Sequence, residues 1–174
     1  MRRLLGVLFF LAAPGALEAQ QSSASAVRRL ADAGQLAAAE SLARSGGAAL
    51  QVVLGDILVL RGQLAAADSV YAGVGPRSRV AQVGRAEIAL RRGDRASAVQ
   101  LAQLVTQAYT QRAAEWSAED RVAAGRAFLI LGGDATTVRS ALAAFDAAAK
   151  ADPADPDASL RVADLFLDKY NAPD

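Results

Sequence analysis

The 174-residue chain contains no cysteine and no histidine. Without cysteine it has no disulfide framework, no thiol chemistry and no lipobox for a lipid anchor. Without histidine it lacks the usual general base near neutral pH and the commonest transition-metal ligand. A Ser-His-Asp site or a zinc hydrolase site therefore cannot be assembled from this chain alone. Aromatics make up 5% of residues and there are five prolines, mostly near the ends or at turns. Neither sign of charge dominates, with 19 basic and 18 acidic residues. A near-neutral chain gives no general electrostatic reason to bind nucleic acid or anionic membranes. Its longest N-terminal apolar run, LLGVLFFLAA, is about ten residues, short of the roughly 20 that a membrane span needs.

What is abundant is alanine, leucine and valine, a composition that suits helices packed through small residues better than a sheet. The stretch LGDILVLRGQLAAADSVY, Leu54 to Tyr71, shows the pattern. Leu54, Ile57 and Leu58 share one helical face, and Ala67, Val70 and Tyr71 share another. Gly62 between them can take the left-handed conformation that ends a helix, so the chain can fold back as a hairpin. Small residues at Gly55 and Ala67 allow the two helices to approach closely.

The spacing recurs. Val27, Ala39, Ala43 and Gly46 are separated by twelve, four and three residues, as are Gly55, Ala67, Tyr71 and Val74, and Ala86, Ala98, Ala102 and Val105. Each set turns at a glycine: Gly34, Gly62 and Gly93. A fourth set has Gly125, Gly132, Ala141, Phe145 and Ala148, with Pro153 ending its second helix and about four extra residues within Asp134 to Ser140. Asp134, Thr136 or Thr137 is placed to cap that second helix. A fifth first helix, ASLRVADLFLDKY, has Ala163 as its small residue.

These residues resemble the small-small-aromatic-apolar signature of the tetratricopeptide repeat (TPR) family. The resemblance implies an all-α fold, a right-handed superhelical stack of antiparallel helix pairs. It places hairpins at 22–46, 48–75, 78–111 and 117–152, and a half repeat at 156–171, within a domain spanning 22–174. The steps between first-helix small residues are 28, 31, 39 and 38, against a family period of about 34. The early joints are accordingly tight, and a long loop is expected around Gln103 to Asp120. Within it, Tyr109 and Trp116 are placed to seal units three and four, and Ser117 with Asp120 forms a capping box. No second helix remains to cover Leu160, Leu165, Phe166 and Leu167, although a repeat cannot bury its apolar face alone. The chain thus reads as a portion of a longer protein, or as one whose last helix serves as an improvised cap.

Residues 1–19 read as a secretory signal: Arg2 and Arg3, the apolar run, a break at Pro14-Gly15, and cleavage after Ala19, with Ala24-Ser25-Ala26 as a second candidate site. Cleavage after Ala19 removes Arg2, Arg3 and Glu18 and leaves 17 residues of each sign. The expected form is exported from a bacterium, periplasmic or extracellular, with no stable membrane insertion after cleavage.

No cofactor or metal site is expected. Gly46-Gly47 and Gly132-Gly133 lack the lysine and hydroxyl residue of a phosphate loop and read as helix ends. DPADPD (Asp152, Asp155, Asp157) lacks calcium-loop spacing and is better suited to capping. The basic run Arg77, Arg79, Arg85, Arg91, Arg92 and Arg95 is interrupted by Glu87 and Asp94 and reads as a solvated face.

One regularity points to a binding surface. The residue after each first-helix small position is charged: Arg28, Asp56, Glu87, Arg126 and Asp164. In the resembled family this part of the first helices faces a concave groove that holds partner proteins or peptides. The strip would select a partner by charge complementarity, or would only keep an exposed face soluble. Its mixed signs exclude the purely basic clamp that some members use for a terminal carboxylate. The expectation is a non-catalytic interaction scaffold with a protein or peptide partner. The alternative is the N-terminal adaptor of a longer secreted enzyme, such as a peptidase, with its catalytic domain beyond Asp174.

Overall fold

The computed structural model of the protein describes residues 14–132 and 134–170, with side chains from 23 to 167. Most of the expected signal segment, 1–13, lies outside the described residues. The first helix, α1 (Pro14–Asp32), runs through the expected cleavage point. It is followed by α2 (Leu36–Arg44), α3 (Ala48–Leu60), α4 (Leu64–Val74), α5 (Arg79–Arg91), α6 (Arg95–Arg112), α7 (Ala118–Leu131), α8 (Ala135–Ala151) and α9 (Asp157–Tyr170). The described residues form an all-α stack of antiparallel helix pairs, the architecture of a TPR-like α-solenoid.

The first three hairpin turns share one backbone solution. Gly34, Gly62 and Gly93 have φ of 78°, 73° and 80°, a region closed to most side chains by Cβ contacts. At Gly62 the amide donates to Val59 O at 3.0 Å, and the next amide, Gln63, donates to Leu58 O at 2.8 Å. This is the two-bond closure that satisfies the last carbonyls of a helix. Gln35 to Leu30 and Asp94 to Ala89 repeat it, each at 2.9 Å. The fourth turn differs: the amide of Gly132 donates to Phe128 O at 3.2 Å. There Asp134 starts α8 by accepting from the Thr137 amide at 2.7 Å and its hydroxyl at 2.9 Å. Ser78, Asp94 and Ser117 cap α5, α6 and α7 in the same way.

Two aromatic side chains set the packing between helices. Tyr71 of α4 is 2% exposed and its ring lies against Gly55 of α3 on one side and Gly84 of α5 on the other. A Cβ at Gly84 would stand 2.6 Å from the ring, well inside carbon–carbon contact distance. Phe145 of α8, fully buried, lies against Gly125 of α7 in the same manner. Where the aromatic position holds Ala102, the first helix of that pair carries the bulk instead, with Val83 and Ile88 of α5 each at most 1% exposed. Burying each such side chain contributes about 1.5–3 kcal/mol. The apolar interior continues from α1 to α9 in three adjoining groups. First helices also touch their counterparts directly, α1 to α3, α3 to α5 and α5 to α7.

Two expectations are corrected. The long loop expected around Gln103 to Asp120 is mostly helix: α6 continues to Arg112, a 3-10 turn covers Ala113–Glu115, and only Trp116 and Ser117 intervene before α7. No proline or glycine interrupts Gln103 to Arg112, so nothing stops the helix. Ala163, expected as the small packing residue of the fifth unit, is exposed. α9 packs on α8 through Ala158 and Val162 and leaves Leu160, Phe166 and Leu167 largely exposed.

Candidate functional site

Four of the five strip residues meet in one charged network. Arg126 of α7 donates from Nε and Nη2 to the two carboxylate oxygens of Glu87 on α5, at 2.8 and 2.6 Å. Paired N–H donors on a planar guanidinium match a carboxylate better than any single contact. Asp56 of α3 accepts a hydrogen bond from the Tyr71 hydroxyl at 2.5 Å and lies within electrostatic reach of both Arg126 and Arg28. Arg28 of α1 pairs with Glu119 in the first turn of α7. Asp164, exposed on α9, stands outside this network.

The environment shifts these groups in a consistent pattern. Burial holds the Asp56 carboxyl above the ordinary aspartate range, against the opposing pull of the Tyr71 hydrogen bond and of Arg126 and Arg28. Burial, followed by the field of Asp56, raises the Tyr71 phenol, so it remains a hydrogen-bond donor. Desolvation acts against the Arg126 charge, but Glu87 and then Asp56 more than offset it and keep the guanidinium protonated. The strip is thus largely self-neutralising: its charges bind the first helices to one another. Sequence reasoning misses Glu119 as a member, because its partner is 91 residues away and belongs to the first unit. Only the capping position of Ser117 hints that Glu119 begins a helix.

Beside this network lies a groove of about 270 Å³ lined by Glu87, Leu90, Arg126, Leu129, Ile130 and Arg161. Leu90 and Glu87 come from α5, Arg126, Leu129 and Ile130 from α7, and Arg161 from α9. Charge and apolar surface are therefore side by side, on helices that are all first members of their pairs. A second hollow, about 420 Å³, lies between α6 and the turn before α5 and includes Arg79, Gln82 and Leu104. Two of its polar side chains are already engaged: Arg79 stacks 4.2 Å over the Trp116 ring and lies 3.4 Å from Asp120, and Gln82 donates to Pro76 O at 2.5 Å.

The other sequence candidates have structural partners. Arg85 and Arg92 of the basic run both reach Asp68, at 2.9 and 3.6 Å. In DPADPD, Asp152 accepts from the Ala154 amide at 3.2 Å and Asp155 from the Asp157 amide at 3.0 Å. Gly47 precedes α3 and Gly132 follows α7 as helix-end residues. Trp116 meets Tyr109 edge-on at 5.1 Å, and Tyr109 meets Phe128 of α7 at 6.2 Å, closing the α6–α7 joint. Among the described residues no group of acidic side chains is arranged to hold a metal ion. None of their helices is long and apolar enough to cross a membrane.

No protein-family model matches the chain, and no curated protein matches it. Among solved structures, the fold is similar to the crystal structure of a thermophilic TPR protein of Thermus thermophilus. The similarity has a TM-score of 0.50 and 22% identity, and covers 81% of this chain and 78% of the other. At that identity the likeness carries the fold, TPR-like stacked helical hairpins.

Proposed function

We propose that this chain is a non-catalytic interaction scaffold that takes a protein or peptide partner on the groove formed by its first helices. One observation carries the reading. Leu129, 38% exposed, and Leu90 sit in an open groove whose charged neighbours, Glu87 and Arg126, are fixed by each other. Apolar surface held beside ordered charges suits partner binding, with burial giving affinity and polar groups giving register. The fold likeness supports the same reading, since stacked helical repeats offer extended binding surfaces. Residues 1–19 support export to a periplasmic or extracellular location. The near-neutral charge supports a protein partner over nucleic acid.

A pull-down with the exported form tests this. Leu129→Glu, in the groove, should abolish partner recovery, whereas Leu42→Glu, on the exposed side of α2, should leave it unchanged. Equal recovery with both variants would remove the groove from the mechanism.

A second reading rests on α9. Leu160 and Leu167 are 59% and 58% exposed there, an apolar face that a further helix would cover. On this reading the repeats are the adaptor portion of a longer secreted enzyme such as a peptidase. Reading the gene downstream of Asp174 decides it: an immediate stop codon removes this alternative.

A further inference from the structure

The pair formed by Arg28 of α1 and Glu119 of α7 joins the first repeat unit to the fourth. Every other ion pair among the described residues lies within one unit or between adjoining units. Packed helices stand about 8–10 Å apart, so the three joints of a straight stack would put α1 and α7 about 24–30 Å from each other. That gap exceeds what one arginine and one glutamate side chain can bridge. The contact therefore exists only while the stack is strongly curved, with the inner faces of α1 and α7 turned toward each other. Glu119 lies on the inner face of α7, two turns before Arg126, which holds Glu87 of α5. Asp56 of α3 and Asp155, in the turn between α8 and α9, also lie within electrostatic reach of Arg28. One guanidinium thus faces three acidic side chains across the concave side of the stack.

We propose that the Arg28–Glu119 pair is an electrostatic strap that holds the curved stack closed, and that salt releases it. Packing between neighbouring first helices fixes each joint, but small rotations at three joints add up at the ends, where the strap acts. Its two side chains are 37% and 49% exposed, so dissolved ions reach them and screening is effective, whereas a buried pair would be screened much less. An exposed pair shifts a two-state balance by about two- to fivefold, which biases the curvature without locking it. Removing Arg28 opens the stack further than removing Glu119, because it leaves three acidic side chains facing one another. The strap goes beyond the partner-binding reading: it is a property of the free chain, and its test needs no partner.

The chain has no cysteine, so two introduced thiols take a unique pair of spin labels in the full chain. Ala33→Cys, just past α1, and Ala114→Cys, in the turn before α7, are both at exposed positions. Electron–electron dipolar spectroscopy reads the separation of the labels. At about 10 mM salt, where the screening length is about 30 Å, a short separation should dominate. At about 1 M salt, where that length is about 3 Å, the ratio of short to long separations should fall about two- to fivefold. In Arg28→Gln the ratio should be at least that low at both salt levels, and Glu119→Gln should follow it to a smaller extent. Arg29→Gln removes the same charge from the neighbouring exposed position and should match the wild type. Circular dichroism confirms that each variant is helical, and if one strap variant fails to fold the other decides. An unchanged separation in the folded strap variants, or equal opening in Arg29→Gln, would overturn the strap and leave the curvature to helix packing. The groove beside Leu129 is judged separately, by the Leu129→Glu pull-down, so the two readings fail independently.

Discussion

Arg126 holds Glu87 across the α5–α7 contact by two parallel hydrogen bonds, at 2.8 and 2.6 Å, with its own side chain only 14% exposed. This pair ties the third repeat unit to the fourth, and it forms the edge of the groove. A partly desolvated arginine that loses its carboxylate is left with an uncompensated charge. Glu87→Ala should therefore cost about 2 kcal/mol, since Glu87 itself is partly solvated. The double substitution Glu87→Leu with Arg126→Met should cost less than the sum of the two single changes. Urea unfolding of the four proteins forms the cycle, and strict additivity would show that the pair is uncoupled.

Asp56 gives a pH signature. It is faced by Tyr71, Arg126, Arg28 and Glu119, and burial sets its folded pKa above the ordinary aspartate value. The native state then holds the Asp56 proton more tightly than the unfolded chain. Its contribution to stability is fully present below the unfolded pKa, about 3.9, and is lost as pH rises through the higher folded value. Asp56→Asn keeps an acceptor for the Tyr71 hydroxyl and removes this loss. The variant should be more stable than wild type at pH 7, by about 1 kcal/mol, and the gap should close as pH falls through about 4. Denaturant midpoints at several pH values measure it; a gap that widens on acidification would reverse the assignment.

The glycines separate packing from helix propensity. Gly125→Ala places a methyl into the Phe145 ring, and Gly84→Ala into Tyr71. Each should destabilise by about 1–3 kcal/mol through overpacking, despite the better helix propensity of alanine. Gly73, on α4, has nothing within 4 Å of an added Cβ. Gly73→Ala should instead stabilise by about 0.5–1 kcal/mol. Thermal melts of the three variants check the opposite signs.

Trp116 is the single tryptophan and is 5% exposed between Tyr109 and Arg79. Its fluorescence reports on the α6–α7 joint. Trp116→Ala should cost about 3–4 kcal/mol, and Trp116→Phe distinctly less. In wild type the fluorescence and circular dichroism transitions in urea should coincide, because the apolar interior crosses that joint.

The backbone logic is legible in the sequence for a physical reason. Gly34, Gly62 and Gly93 mark turns because only a left-handed residue closes those helices. The positions of Ala39, Ala67, Ala98 and Ala141, each 0% exposed, are fixed by the close approach of paired helices. The extent of α6 is not legible from the period mismatch, which suggests a loop although Gln103 to Arg112 contains no breaker. Gly84, the second wall around Tyr71, escapes the pattern because it belongs to the next unit and lies off the repeated register. For the candidate site, the charged strip is visible as a regularity but its pairing is not. Arg126 and Glu87 are 39 residues apart, and Arg28 and Glu119 are 91. Side-chain reach across a stack depends on how the units pack, which local spacing does not encode.

The proposed placement of a binding face on the first helices is tested most directly by site-specific photo-crosslinking in the full chain. A crosslinker at Leu129 or Leu90, in the groove, is compared with one at Leu104, on the exposed side of α6. The expected result is one partner band from both groove positions and none from Leu104. Crosslinks from Leu104 with none from Leu129 or Leu90 would place the partner on the second helices and contradict the groove.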